Sequence, residues 1–86
     1  MIQEILKDYY VTIHCLTELR RNLTLELLAE NEILLLEETA TYYDYDNEDY
    51  AITVHPHKDS TSKLDRFLAN ARAIGLVASF TKQVKE

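Results

Sequence analysis

The chain has 86 residues, a formal net charge of −6, and only one glycine, one proline and one cysteine. A chain this short supports one hydrophobic core, and its 47% apolar content is that of a folded domain rather than a disordered one. The lone Cys15 excludes an intramolecular disulfide and a thiolate metal cluster, and the single glycine excludes the glycine-rich loops and G-x-S-x-G elbows of nucleotide-binding and α/β-hydrolase chemistry.

The opening Met1-Ile2-Gln3-Glu4 lacks the basic and apolar regions of a secretion signal. The longest strongly apolar run, Ile33 to Leu36, is too short to cross a bilayer. A cytoplasmic protein without a membrane partner is the expectation.

The first thirty residues admit two readings. Ile2, Ile5, Leu6, Tyr9, Ile13, Leu16, Leu23 and Leu27 recur at helical spacing, and a heptad phase running from Ile2 to Leu27 is apolar at every step except Arg20. This predicts a long N-terminal amphipathic helix, ending near Asn31, which tolerates the left-handed conformation. In the second reading Tyr9–Cys15 is a strand, with Tyr9, Val11, Ile13 and Cys15 on one face. Eight stripe residues against four alternating ones favour the helix, although Val11 and Cys15 then fall off the stripe.

Beyond Ile33 the period changes. Ile33 to Tyr45 is rich in β-branched and aromatic residues, Asp46-Asn47-Glu48-Asp49 reads as a turn, and Tyr50 to His55 alternates. These segments predict an antiparallel β-hairpin in which Tyr45 faces Tyr50, Tyr43 faces Ile52 and Thr41 faces Val54. Pro56 ends the second strand because it cannot donate to the ladder. Leu64, Phe67, Leu68, Ala71 and Ile74 then share one helical face over about 61–74, with Asp59, Ser60 or Ser62 as its cap. Gly75 sits at the left-handed position after the helix, Leu76 supplies the hydrophobic contact beyond it, and Leu76, Ala78, Phe80 and Val84 form one face of a closing C-terminal strand. The fold class is a single α+β domain: helix, hairpin, helix, strand. If Tyr9–Cys15 is a strand, the order becomes ferredoxin-like βαββαβ.

Charge is unevenly spread. Asn22 to His57 holds nine acids and no Lys or Arg, whereas the other fifty residues hold six acids and nine bases. Such a segment repels nucleic acid and attracts basic partners. Tyr42 to Tyr50 concentrates four of the six tyrosines with four carboxylates. Tyrosine offers a large rigid contact area with a polar handle, and neighbouring acids steer a cationic partner. The candidate partner-binding residues are therefore Glu37, Glu38, Tyr42, Asp44, Tyr45, Asp46, Glu48, Asp49 and Tyr50. Asp44 and Asp46 on one strand face would lie roughly 6.7 Å apart, close to the spacing of phosphates along DNA. The competing reading makes the tyrosines a core-facing row and the acids a solubilising turn.

Other constellations are weaker. His55-x-His57 has metal-ligand spacing on a strand, with His14 or a carboxylate to complete a site, but Pro56 intervenes and solvated loop histidines are the plainer reading. Cys15 reads as a small buried hydrophobe rather than a nucleophile. No catalytic residue, cofactor or metal is assigned. The function expected is a non-enzymatic interaction module or inhibitor whose acidic, Tyr-rich hairpin occupies a basic surface of a nucleic-acid-binding enzyme. Phage inhibitors of host defence nucleases, DNA-mimicking ones included, share this size and charge. The alternative is a small homodimeric regulatory or ligand-binding domain, paired through the N-terminal apolar stripe.

Overall fold

Seven consecutive residues with strong strand preference, Tyr9–Cys15, form β1, the first element of the computed structural model, which describes residues 9–35 and 39–84. The continuous N-terminal helix is thereby corrected. Val11, Ile13 and Cys15 are fully buried, and only the period-2 alternation of a strand turns all three to one side. In the helical phase two of them fell off the apolar stripe. Ile2, Ile5 and Leu6, which opened that stripe, lie outside the described residues.

The first helix, α1 (Glu18–Glu30), begins three residues after β1 ends. Thr17 stops the extended chain and caps the helix, its hydroxyl accepting from the Arg20 amide at 3.1 Å. Two further strands follow, β2 (Ala40–Asp44) and β3 (Asp49–Val54), then a 3₁₀ turn at Lys58–Ser60, α2 (Thr61–Ala73) and β4 (Ser79–Val84). The chain order is therefore βαββαβ. All strand pairs are antiparallel, in the spatial order β2-β3-β1-β4. This is the ferredoxin-like arrangement, and the expected α+β class, hairpin, second helix and closing strand are all present.

Cross-strand register assigns the faces. Ile13 lies between Ile52 on β3 and Phe80 on β4, and Val11 opposes Val54. These residues meet Leu28 of α1, Leu64, Leu68 and Ala71 of α2, and the loop residues Ile33 and Val77 in one core. Each fully buried aliphatic side chain contributes about 1.5–3 kcal/mol. The opposite sheet face carries Tyr10, Thr12 and His14 from β1, Ala51 and Thr53 from β3, and Tyr42 and Asp44 from β2. Thr24, placed on the inner face of α1 beside β1, satisfies its buried hydroxyl by donating to the Arg20 carbonyl at 2.8 Å.

Both helices end in the same motif. After α2, the Gly75 amide donates to the Arg72 carbonyl and the Leu76 amide to the Ala71 carbonyl, with Gly75 at φ 84°. After α1, the Glu32 amide donates to Ala29 and the Ile33 amide to Leu28, with Glu32 at φ 57°. Both are Schellman caps, closed by the buried or half-buried apolar residue that follows. The left-handed residue of the first is Glu32 rather than Asn31, whose φ is −88°. Ser60 occupies the N-cap position of α2, yet its hydroxyl accepts from the Leu34 amide at 2.9 Å, tying the β2 approach to the helix start.

A side chain in the left-handed region costs roughly 1–2 kcal/mol. Gly75→Ala should therefore lower unfolding stability by about 1 kcal/mol, although nothing lies within 4 Å of the added methyl. Glu32→Gly should raise it by up to about 1 kcal/mol. Urea unfolding at an unchanged m-value checks both.

Candidate functional site

The β2–β3 hairpin turns through Tyr45–Glu48, one residue earlier than its turn signals predict. Asp44 faces Asp49, Tyr43 faces Tyr50 and Thr41 faces Ile52. The expected pairs Tyr45–Tyr50, Tyr43–Ile52 and Thr41–Val54 are thus displaced by two residues along the partner strand, which leaves every side chain on its predicted face. The cause is local. The Asp44 carboxylate accepts from the Asp46 amide at 3.0 Å, the Asn47 amide at 3.2 Å and the Asn47 side chain at 3.0 Å. Those bonds end β2 at Asp44 and start the turn there. Glu48 closes it in the left-handed conformation, φ 57°.

This geometry divides the predicted binding residues into two groups. Tyr42 and Tyr45 are 44% and 83% exposed, and Asp46 and Glu48 are exposed in the turn. Tyr43, which the sequence placed on the core face, is 36% exposed against the Tyr45 ring, with Tyr42 on the opposite face of the sheet. Asp44, Asp49 and Tyr50 are not presented freely. Asp49 is buried and its Oδ1 lies 3.0 Å from His14 Nδ1, while Asp44 Oδ2 lies 3.9 Å from the same nitrogen. Tyr50 packs edge-on to Tyr43 at 5.0 Å, under the guanidinium of Arg21 at 5.7 Å. Glu37 and Glu38 lie outside the described residues. The solvated Asp44–Asp46 row on one strand face is corrected: Asp46 belongs to the turn, and Asp44 is held by turn amides and His14.

The tip is electrostatically uncompensated. Among the described residues, no Lys or Arg lies within ion-pair distance of Asp44, Asp46, Glu48 or Asp49. Arg21 pairs with Glu18 and Lys82 with Asp65, while Arg72 lies over the Phe80 ring. Partial burial pushes the Tyr43 phenol above the usual tyrosine value, and the Glu48 carboxylate adds to the shift. Tyr43 therefore stays a hydrogen-bond donor across the physiological pH range.

The strand assignment brings His14 under the hairpin, a position that sequence spacing alone did not suggest. The signal available was parity: His14 alternates with Ile13 and Cys15, so burying those two turns it to the opposite face. His55 and His57 do different work. His55 lies 5.6 Å from the Tyr10 ring, and His57 Nδ1 accepts from the Asp59 amide to cap the 3₁₀ turn. Cys15 is buried in the core with its sulfur 3.7 Å from the Thr24 hydroxyl, and burial pushes its thiol up. A cleft of about 400 Å³ lies between the helices, lined by Leu27, Ile33, Phe67 and Leu76 with Lys63 and Arg66 at its polar side. No described helix is long and apolar enough to cross a membrane. No protein family, curated protein or solved structure gives a significant match to this chain.

Two results follow from these contacts. Asp44→Ala removes three hydrogen bonds and should destabilise by about 1–3 kcal/mol, whereas Asp46→Ala, which leaves the turn intact, should stay within about 0.5 kcal/mol in the same urea assay. Cys15 should resist iodoacetamide in the native protein and alkylate promptly in denaturant, as mass spectrometry would record.

Proposed function

We propose that the protein is a non-enzymatic interaction module that binds a basic protein surface through the tip of its β2–β3 hairpin. The supporting observation is the joint exposure of Tyr43 and Tyr45, their rings 4.8 Å apart, with the turn acids Asp46 and Glu48, and no cationic side chain paired to these acids among the described residues. Exposed aromatic residues bury large area at little entropic cost, and adjacent uncompensated carboxylates steer a Lys/Arg-rich partner. The Lys/Arg-lined grooves of nucleic-acid-binding enzymes are surfaces of that kind. Inhibition of such an enzyme, in the manner of a phage anti-defence protein, is the specific form this reading takes. It does not extend to mimicry of a regular phosphate row, because the acids of the tip do not lie along one strand face. Direct nucleic-acid binding is disfavoured on the same sheet by charge: the open face carries Asp44 and Asp49, which repel phosphate, alongside its aromatic residues Tyr10 and Tyr42.

A second reading rests on a different observation. Leu16, Leu19 and Leu23 are 59%, 69% and 41% exposed and follow one another at three- and four-residue steps. Self-association through this leucine row would make the protein a homodimer, which light scattering across a concentration series would register as a mass change.

The leading reading is tested by affinity capture from the native host at low and high salt, followed by titration of the captured partner. Wild type should bind in a salt-sensitive manner. Tyr45→Ala should weaken binding at least about tenfold, and the double reversal Asp46→Lys/Glu48→Lys should slow association and reduce its salt dependence. Equal binding by wild type and the reversal variant would overturn the proposal.

A further inference from the structure

We propose that His14, Asp44 and Asp49 form a divalent-cation site at the turn end of the hairpin. Asp44 and Asp49 stand directly opposite each other on β2 and β3, an arrangement in which like charges repel. Their side chains are only 20% and 11% exposed, so water screens that repulsion poorly. The one counter-group among the described residues is His14, itself 12% exposed and reaching both carboxylates from β1. A protonated imidazole supplies one positive charge against two negative ones. A divalent cation supplies two, with the neutral imidazole as a third ligand.

The distances suit that role. Metal bonds of about 2.0–2.2 Å place the donor atoms of one shell roughly 3–4 Å apart. His14 Nδ1 lies 3.0 Å from Asp49 Oδ1 and 3.9 Å from Asp44 Oδ2, and all three donors fall within 4.8 Å of one another. Asp44 is already oriented: the Asp46 and Asn47 amides hold Oδ1, and the Asn47 side chain donates to Oδ2. Outer-shell bonds of this kind set ligand direction in metal sites. One nitrogen and two carboxylate oxygens suit Zn²⁺ or Mn²⁺, whereas Ca²⁺ asks for six or more oxygens. The cluster lies on the sheet face opposite the helices, with Asp44, the most exposed of the three ligands at 20%, as the side from which water would complete the shell. Coordination through Nδ1 places the ring's single proton on Nε2, so the imidazole binds as its neutral tautomer, and the cation cross-links β1 to both strands of the hairpin.

The test uses chelator-treated protein titrated with Zn²⁺, Mn²⁺ and, as a spectroscopic probe, Co²⁺, followed by calorimetry and thermal unfolding. The expected result is one saturable site and a Tm that climbs with metal concentration. His14→Gln and Asp49→Asn should each weaken binding by more than about tenfold and Asn47→Ala by about tenfold, with Glu26→Gln unchanged. Mn²⁺ added to wild type should broaden the amide signals of His14, Asp44 and Asp49 first, a readout that does not depend on any variant folding. Absence of saturable binding, His14→Gln binding as tightly as wild type, or broadening centred on His55 and His57 would each overturn the proposal.

Discussion

The alternation of side chains along β1 divides the molecule, and the rest of the structure is built on that division. Val11, Ile13 and Cys15 face the helices and are fully buried, while Tyr10, Thr12 and His14 face the open side. Because β1 pairs with both β3 and β4, its register sets theirs. A slip of one residue would carry His14 into an apolar core and expose Ile13, at a cost no other contact offsets. The central strand thus fixes at once which aliphatic residues meet α1 and α2 and which polar group lies beneath the hairpin.

From that floor, charge is sorted by use. Asp44 and Asp49 stay inside, gathered on the imidazole and on the turn amides, and they define where the hairpin bends. Asp46 and Glu48 are exposed in the turn with the accessible Tyr43 and Tyr45 rings. A turn stiffened by three hydrogen bonds to one carboxylate presents those groups with little freedom left to lose on association, which favours affinity. β2 gains neither burial nor a second neighbour from the fold, being an edge strand exposed along most of its length. Burial is therefore concentrated in β1, β3 and the helices, and the hairpin tip is exposed.

Much of this plan was legible in the residues. The hairpin, α2, Gly75 as a left-handed cap with Leu76 behind it, and Cys15 as a core residue follow from period, turn chemistry and the lone glycine. Tyr9–Cys15 did not resolve, because the same apolar positions satisfy a 3.6-residue stripe and a two-residue alternation. The cap at Thr17, followed at once by Glu18, was the local sign that a helix starts there and not earlier. The hairpin register was displaced because Asp44 and Asp46 compete to open the turn, and only the backbone amides decide between them. Asn31 was the better left-handed residue by propensity, yet the Schellman bonds place Glu32 there. At the site, the exposed tyrosines were visible as a cluster. The withdrawal of Asp44, Asp49 and Tyr50 was not, because it depends on His14 and Arg21, residues more than twenty positions away in the chain.

The most direct test of this account is the solution NMR pattern of residues 9–17. A central strand predicts cross-strand proton contacts linking Ile13 to both Ile52 and Phe80, with the slowest amide exchange of the protein in Val11–Cys15. A continuous run of sequential amide–amide contacts from Tyr9 through Glu30, the mark of one uninterrupted helix, would contradict it.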